Sequence, residues 1–463
     1  MERRVLSMTI TEYLASLKHK RVAVIGIGVS NTPLIRMLLR ADIDVTACDK
    51  SCREDLGIVA DELESLGARL QLGENYLDGL KHDVIFRTPG LRPDVPALEA
   101  ARARGAEITS EMEVFFRVCP CKIIAVTGSD GKTTTTTIIS ELLKAAGYNV
   151  YVGGNIGKPL LPDAAGMDPN DIAVLELSSF QLMTMTQSPD IAVVTNVTPN
   201  HLDVHKSMSE YIAAKENIFV HQTSRGVAVF NHDNDITRGF AQSAAGRSIS
   251  FSRQEELEDG VYIKENSIWY KDREVLPVSD IFIPGEHNVE NYMAAIAAVN
   301  GLVDDEVIRT VAKNFGGVEH RIELVRTFND VRYYNDSIAS SPTRTIAGLR
   351  SFKEKVILIA GGYDKKIPFD ELGPEIVEHV KVVVLTGTTA PKIRAAIESA
   401  PGYEDSGLQI FEQDDFKEAV LTAHRAARPG DVVILSPACA SFDKFKNFML
   451  RGEAFKKIIY ELG

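Results

Sequence analysis

Residues 122–133 read KIIAVTGSDGKT: an apolar strand, a glycine-containing loop and the start of a helix-forming segment. In this order, backbone N–H groups and a helix N-terminus point at phosphate oxygens, lysine adds a positive charge and threonine offers a hydroxyl to Mg²⁺. The full phosphate-loop pattern has glycine at the position of Val126, so this is a shortened variant, and an ordinary glycine turn is the alternative. The candidate phosphate-binding residues are Gly128, Ser129, Asp130, Gly131, Lys132, Thr133 and Thr134.

The same alternation of apolar strand and helical segment is found on both sides of this loop. Towards the N-terminus, RVAVIG (21–26), a helical segment and DVTACD (44–49) form a βαβ unit, which requires a parallel sheet. At about 150 residues per domain, the length of 463 residues suggests about three domains. We therefore predict an α/β fold with an N-terminal Rossmann-like parallel sheet (1–111), a central P-loop ATPase-like domain (112–317) and a C-terminal Rossmann-like domain (318–463).

The composition excludes several classes of protein. The chain has 51 Lys and Arg against 64 Asp and Glu, a net charge of −13, which argues against a protein that coats nucleic acid. It has no apolar run of the roughly 18–20 residues that span a bilayer, and its first residues lack the apolar core of a signal peptide. The five cysteines are sparse, and the spacing of Cys119 and Cys121 is wrong for zinc, so we expect free thiols. We expect a cytoplasmic protein without nucleic-acid or membrane partners.

Polar residues follow the two strands that we expect beside the loop strand. Glu176 ends IAVLE, where a carboxylate can hold a Mg²⁺ ion brought by bound phosphates, or can simply be a solvated strand end. The segment NVTPNHLDVH (196–205) follows the next strand and is either a metal-binding cluster or a polar loop. By position alone, Lys215 in the helix YIAAKENIF would be a surface lysine.

The two outer domains carry weaker signals. Gly26 and Gly28 form part of a dinucleotide fingerprint that lacks its third glycine, and Asp49 lies where a carboxylate can meet a ribose hydroxyl. This pattern favours a nucleotide that is not a redox dinucleotide, with a glycine turn as the alternative. In the third domain, SPACASFDKFKNF (436–448) suits a substrate that carries a carboxylate, and GGYDKK (361–366) is either an anion site or a charged turn.

Taken together, these segments resemble the Mur ligases, the ATP-dependent amide ligases of peptidoglycan precursor synthesis, over essentially the whole chain. The phosphate loop, ELSSFQL, TNVTPNHLDVH, GEHNVENYMAA and EHRIE are similar to the family's ATP and Mg²⁺ segments. ELSSFQL with NDS, GGYDKK and SPACASFDKFKNF is similar to the members that join D-glutamate to UDP-N-acetylmuramoyl-L-alanine. The resemblance implies one domain each for the UDP-sugar, ATP and D-glutamate, an acyl phosphate intermediate, two Mg²⁺ ions and a monomeric enzyme.

The resemblance also implies roles for single residues. Lys132, Lys215, His201 and Arg321 would be catalytic, with Lys215 carbamylated. Beyond the loop, ATP would contact Asn291, Arg321 and Asp336, and the Mg²⁺ ligands would be Thr133, Glu176, His201 and Lys215. The UDP-linked substrate would contact Ser30, Asp49, Thr88, Gly90, Asn155 and Ser178, and D-glutamate would contact Lys365, Ser441, Phe442 and Phe448.

The chain departs from the family pattern at three positions. Ile338 stands where many members carry lysine, and Arg344 or Lys366 could replace that cation; Asn200 and Asp130 are the other two departures. The alternatives to this assignment are a sister ligase or a folylpolyglutamate-type ligase, a nucleotide switch that uses the phosphate loop without ligation, and an NAD-dependent oxidoreductase.

Overall fold

The computed structural model describes residues 8–200 and 204–463. Its first part is a five-stranded parallel sheet of order β3-β2-β1-β4-β5. The strands are β1 (Arg21–Ile25), β2 (Asp44–Asp49), β3 (Arg69–Leu72), β4 (Val84–Phe86) and β5 (Glu107–Thr109). The helices are α1 (Ile10–Leu17), α2 (Asn31–Arg40), α3 (Arg53–Leu56), α4 (Ile58–Ser65), α5 (Pro96–Ala103) and α6 (Glu111–Val118).

Strand β1 decides where the first sheet can bind a ligand. All but the first of its residues are buried, as expected of a parallel strand whose two faces are covered. Because β2 pairs on one side of β1 and β4 on the other, the loops after β1 and β4 meet at the point where the strand order reverses. The contact is close, since a Cβ atom at Gly26 would lie 3.0 Å from Cβ of Thr88.

The central sheet has nine strands in the order β14-β13-β12-β11-β10-β9-β6-β8-β7. Its strands are β6 (Lys122–Thr127), β7 (Val150–Gly154), β8 (Ile172–Glu176), β9 (Ile191–Val194), β10 (Val227–Asn231), β11 (Arg247–Ser252), β12 (Gly260–Lys264), β13 (Ser267–Tyr270) and β14 (Arg273–Pro277). The accompanying helices are α7 (Lys132–Ala145), α8 (Ser179–Leu182), α9 (Met208–Glu216), α10 (Asp235–Phe240), α11 (Glu286–Val299) and α12 (Asp305–Asn314), with 3₁₀ turns at Leu161–Gly166 and Val278–Asp280.

Strand β6 pairs with both β8 and β9 in parallel, which confirms the predicted neighbours of the phosphate-loop strand. The strands at the far edge, β12 to β14, are antiparallel. Glu265 and Asn266 form the two-residue turn between β12 and β13, and both have positive φ, as type I′ hairpin turns require.

The third sheet has six strands in the order β15-β16-β20-β17-β18-β19, and only β15 runs antiparallel to its neighbour. The strands are β15 (Glu323–Phe328), β16 (Val331–Asn335), β17 (Val356–Ala360), β18 (Val380–Leu385), β19 (Gln409–Glu412) and β20 (Val432–Leu435). The helices are α13 (Pro342–Leu349), α14 (Leu372–His379), α15 (Ala390–Glu398), α16 (Phe416–Ala426) and α17 (Phe448–Tyr460).

The chain packs into two compact units. The first extends to Asp280 and includes Glu290–Val311, and the second comprises Ile281–Val289 and Ala312–Gly463. The three sheets confirm the predicted α/β class, while the domain boundaries at 111 and 317 stay a prediction. The five cysteines are free thiols, as predicted. Within the described ranges, every helix is too short or too polar to cross a membrane.

Candidate functional site

The predicted phosphate loop connects β6 to α7, between the ends of β8 and β9. Hydrogen bonds fix it to both neighbouring segments: the Thr127 hydroxyl donates to the Leu177 carbonyl oxygen over 2.8 Å, and the Ser129 N–H donates to the Asn196 carbonyl oxygen over 2.9 Å. The Thr195 hydroxyl donates to the Asp130 carbonyl oxygen over 2.6 Å. The loop is therefore held at the strand ends, where open parallel sheets bind ligands.

Lys132 is the first residue of α7, so its ammonium lies at the positive end of a 14-residue helix. Its Nζ donates to the carbonyl oxygens of Gly128 and Ser129, over 3.0 and 2.8 Å. The side chain thus folds back over the loop. This arrangement concentrates positive charge where an anionic phosphate would bind.

Next to the loop, Thr133 and Asn155 both donate hydrogen bonds to the carboxylate of Glu176. The Thr133 hydroxyl donates to Oε2 of Glu176 over 2.7 Å, and Nδ2 of Asn155 donates to Oε1 over 2.7 Å. Glu176 is buried, so it is not the solvated strand end that the sequence left open. A hydroxyl and a carboxylate side by side are the hard oxygen donors that Mg²⁺ prefers, and these residues fit that ion.

Lys215 is buried directly behind the loop, with 1% of its surface exposed, so the surface position suggested by the sequence is wrong. Its Nζ donates to the Gly128 carbonyl oxygen over 2.6 Å and lies 4.7 Å from the centre of the Tyr211 ring. Burial, followed by the repulsion of Lys132, lowers the pKa of the Lys215 amine well below its usual value. Tyr211 also links to the loop, since its hydroxyl lies 3.0 Å from Oγ of Ser129.

The predicted metal ligand His201 lies outside the described residues, as does Asp203. His205, from the same segment, is buried with Nε2 2.9 Å from Oγ of Ser179 and its ring stacked on Phe180 at 5.2 Å. His205 therefore belongs to the packing of the segment around α8.

The first sheet brings the predicted UDP-substrate residues to one edge. The carboxylate of Asp49 accepts the N–H of Ile27 over 2.6 Å and that of Ser51 over 2.8 Å, so it stabilises the loop after β1. Ser30 is exposed at the start of α2, and Gly90 is exposed after β4 beside the half-buried Thr88. Asp49, predicted to meet ribose, already has two backbone partners.

Asn155 and Ser178, predicted at the sugar arm of the substrate, both have partners within the protein. Asn155 donates to Glu176, and Ser178 caps α8: its Oγ accepts the Gln181 N–H, and its own N–H donates to the Gln181 side chain.

Two of the three predicted ATP contacts outside the loop, Asn291 and Asp336, also form hydrogen bonds within the protein that the sequence did not predict. Thr135 donates to Oδ1 of Asn291 over 3.1 Å. Asp336 is buried and accepts the Ser436 hydroxyl over 2.7 Å, and burial raises its pKa to about 7.

The second unit contains Arg321, which is half-buried, and the residues predicted to hold D-glutamate. Ser441 is buried, whereas Phe442 is 62% exposed and meets Tyr363 edge to face. Lys365 lies 3.4 Å from Oγ of Ser340, and the Phe448 ring packs against His320.

The buried Arg451 from α17 donates to the Cys439 and Ala440 carbonyl oxygens and so fixes the loop that carries Ser441. The sequence reasoning missed this arginine because nothing in a helical pattern marks one arginine as buried.

Comparisons with known proteins give a consistent result. The Mur ligase middle domain family matches residues 126–299, and the family described as Mur ligase, glutamate ligase domain, matches residues 320–439. The UDP-N-acetylmuramoylalanine--D-glutamate ligase of Acetivibrio thermocellus is 55% identical over 98% of this chain and 99% of its own length. The ligase of the same name from Clostridium beijerinckii is 53% identical over 97% and 99%.

The solved structure of the UDP-N-acetylmuramate-alanine ligase MurC from Thermotoga maritima superposes with a TM-score of 0.58 at 18% identity, and covers 96% of this chain and 99% of that one. At that identity the likeness shows the fold alone. The high identity to the two relatives extends over nearly the whole chain, and both family matches fall on the regions that carry the phosphate loop and the third sheet. The chain therefore belongs to the Mur ligase family.

Proposed function

We propose that this protein joins the amine of D-glutamate to the L-alanine carboxylate of UDP-N-acetylmuramoyl-L-alanine, and that ATP is converted to ADP and phosphate. The observation that carries the proposal is the identity of 55% over 98% of the chain to a relative named for that ligation. The phosphate loop, with Glu176 hydrogen-bonded to Thr133, provides a site of the right chemistry for ATP. We further propose that the enzyme is a monomer in the cytoplasm, and light scattering after gel filtration tests its size.

ATP would bind with its phosphates against the loop of residues 128–134. The Lys132 ammonium, now over the loop carbonyls, would turn to the phosphates, and the N-terminus of α7 would add its partial positive charge. Asn291, Asp336 and Arg321 remain proposed contacts of ATP.

Thr133, Glu176, His201 and Lys215 would hold Mg²⁺. The ion would supply positive charge that neutralises the phosphate oxygens during transfer. Asn155 orients Glu176, since it binds the carboxylate oxygen that Thr133 does not. The pair therefore presents its oxygen donors in a fixed geometry.

The ligation needs an activated carboxylate because a carboxylate anion is a poor electrophile. The substrate carboxylate oxygen would attack the γ-phosphorus of ATP, forming a new P–O bond while the bond to the ADP oxygen breaks. Lys132 would stabilise the charge on the transferred oxygens. The amine of D-glutamate then attacks the acyl carbon of the acyl phosphate, loses a proton, and expels phosphate as the amide forms.

The D-glutamate side of the reaction would use Lys365, Ser441, Phe442 and Phe448. Ser30, Asp49, Thr88 and Gly90 would hold the UDP part of the other substrate, with Asn155 and Ser178 near its sugar arm. Asp49 and Ser178 would act partly by stabilising the local backbone, because both already make backbone hydrogen bonds.

We propose that Lys215 is carbamylated in the active enzyme. Its amine is buried behind the phosphate loop, and a neutral amine adds CO₂ to form an N–C bond, loses a proton and becomes an anionic carboxylate. Lys215→Ala should lose activity and regain part of it with added acetate or formate. Lys144→Ala, a change at an exposed lysine, serves as control. If no short carboxylate restores activity to Lys215→Ala, the result would contradict the proposal that Lys215 is carbamylated.

The test of the whole proposal is phosphate release from ATP. We expect release only when UDP-N-acetylmuramoyl-L-alanine and D-glutamate are both present, and L-alanine or L-lysine should not replace D-glutamate. A sister ligase would prefer another acceptor, and a nucleotide switch would release phosphate without either substrate. Lys132→Ala should lower turnover on the order of a hundredfold or more, because it removes a charge that stabilises the transferred phosphoryl group.

A further inference from the structure

Arg87 is a buried cation directly below the loop that follows β4, with 2% of its surface exposed. One guanidinium nitrogen, Nη1, donates to three carbonyl oxygens of that loop: Thr88 over 3.2 Å, Pro89 over 3.1 Å and Leu91 over 2.6 Å. The backbone of residues 88–91 therefore curves around one side chain. Thr88 and Gly90, two of the proposed contacts of the UDP part, lie in this loop.

The other nitrogen, Nη2, reaches a segment more than 90 residues further along the chain. It donates to the Phe180 carbonyl oxygen over 3.3 Å and to the Thr184 hydroxyl over 3.2 Å. Phe180 belongs to α8, which begins immediately after the proposed sugar-arm contact Ser178. One guanidinium group thus joins the first sheet's substrate loop to α8 of the central sheet.

The acceptors of Arg87 are all neutral. Among the described residues no carboxylate is close enough to form an ion pair with it; burial lowers its pKa from the ordinary value, and the charge of Glu113 partly offsets that effect. Burying a charge in this way is costly unless its hydrogen bonds are well made. A planar guanidinium presents two nitrogens in a fixed fork and can serve two segments at once, a geometry that the compact ammonium of lysine does not offer.

We propose that Arg87 is a positioning residue that sets the spacing between the UDP-contacting loop (88–91) and the sugar-arm segment (178–184). The inference rests on the proposed function, because both segments would hold parts of the same UDP-linked substrate. Arg87 does not touch that substrate; it fixes two backbone segments that do. Its loss should therefore weaken the binding of the UDP-linked substrate far more than the binding of ATP or D-glutamate.

The experiment compares Arg87→Met and Arg87→Lys with Leu98→Ala in the full-length enzyme. Leu98 is fully buried in a cluster beside the first sheet that does not include Arg87, so its truncation controls for a loss of core stability. For each variant we would measure the melting temperature, the KM of each substrate, and the binding of UDP-N-acetylmuramoyl-L-alanine by calorimetry without ATP.

Arg87→Met should raise the KM and Kd for UDP-N-acetylmuramoyl-L-alanine on the order of 10- to 100-fold, since small misplacements of substrate-holding groups have effects of that size. The KM values of Arg87→Met for ATP and D-glutamate should stay within about twofold of wild type. For Leu98→Ala, the KM values of all three substrates should stay within the same range. Arg87→Lys should fall between wild type and Arg87→Met because its ammonium keeps the charge but lacks the fixed fork that reaches both segments. Added guanidinium ion should restore part of the Arg87→Met affinity.

Two results separate this inference from the proposed function. A wild-type enzyme that neither binds UDP-N-acetylmuramoyl-L-alanine nor uses it would overturn the proposed function. If the wild-type enzyme binds the UDP-linked substrate, two results for Arg87→Met would overturn only the positioning role. One is an unchanged affinity for that substrate, and the other is an equal loss of affinity for all three substrates. If Arg87→Met does not fold, Arg87→Lys decides: a selective loss of affinity for the UDP-linked substrate supports the role, and unchanged affinity overturns it.

Discussion

Gly128 shows how tightly the phosphate loop packs against the neighbouring strand end. It has a φ of +154°, and a Cβ atom there would lie 1.9 Å from Oγ1 of Thr195, far inside the contact distance of real atoms. Thr195 cannot simply turn away, because its hydroxyl donates to the Asp130 carbonyl of the same loop. Glycine at 128 is therefore required by the close approach of two segments.

We expect Gly128→Ala to abolish ATP-dependent phosphate release, because the loop and the end of β9 must move apart and the phosphate-binding geometry is lost. Gly239→Ala is the control, since a Cβ atom there meets nothing within 4 Å and glycine is a weak helix former. Nucleotide binding and melting temperature should be measured for both. Normal nucleotide affinity in Gly128→Ala would show that the contact is easily relieved.

Single residues differ in how far sequence reasoning identifies them. Lys132 and Thr133 follow from a local pattern, because strand, glycine loop and helix start are consecutive in the chain. Lys215, Arg87 and Arg451 do not, since the burial of a charged residue depends on segments that are distant in sequence. Asp336 illustrates the same limit: the resemblance assigns it to ATP, while the structure also buries its carboxylate against Ser436.

At the level of elements, the prediction that β8 and β9 flank β6 succeeded, although the next strand in the chain, β7, pairs with β8 and not with β6. That adjacency alone brings Glu176 towards Thr133. The contact of Asn155 with Glu176 was not predictable, because it depends on the conformation of the loop after β7 and not on a strand pattern.

The strand pair β6 and β8 gives a prediction for Mg²⁺. Glu176→Gln keeps the shape of the side chain but removes its negative charge, so the Mg²⁺ concentration for half-maximal activity should rise about tenfold or more. The control is Glu141→Gln, whose carboxylate pairs with Lys144 on the surface. An unchanged Mg²⁺ requirement in Glu176→Gln would remove Glu176 from the proposed ligands.

Helix α6 begins with another buried carboxylate. Glu111 accepts the N–H of Leu161 over 2.8 Å, and burial raises its pKa from 4.5 to about 7. Between these values, the folded protein keeps a proton that the unfolded chain has lost, so unfolding releases a proton and stability falls as the pH rises through this window. Above pH 7 both states are ionised and the effect is constant.

We therefore expect Glu111→Gln to lessen the decline in the free energy of unfolding between about pH 4.5 and 7, by up to about 3 kcal/mol. Glu99→Gln, an exposed change in α5, should leave the pH dependence as it is in wild type. Denaturant unfolding at several pH values measures both. Parallel curves for wild type and Glu111→Gln would mean that Glu111 is already ionised in the folded state at pH 5.

At the scale of the whole molecule, length and strand pattern predicted about three domains, and the structure has three sheets that lie in two compact units. The sequence could not show this because side-chain bonds join the first two sheets: Arg92 pairs with Glu210, and Arg87 reaches Phe180. The third sheet has its own buried clusters around β17 and β20.

Two units with separate cores should unfold in two calorimetric transitions. UDP-N-acetylmuramoyl-L-alanine should raise the free energy of unfolding of the first unit, and D-glutamate should raise that of the second unit. Each increase should be about 2.7 kcal/mol at a ligand concentration of a hundred times the Kd. Two core variants identify the transitions: Leu98→Ala should lower the melting temperature of the first unit, and Ile393→Ala should lower that of the second. A single transition that both ligands shift equally would contradict this assignment.

The path of the chain through the two units limits how such proteins can be recombined. The second unit takes Ile281–Val289 from one part of the sequence and Ala312–Gly463 from another, with Glu290–Val311 of the first unit between them. A chimera that replaces the C-terminal segment with that of a relative must therefore exchange residues 281–289 as well. A single crossover near 312 would combine the short segment of one parent with the sheet of the other, so recombination should succeed best with paired crossovers.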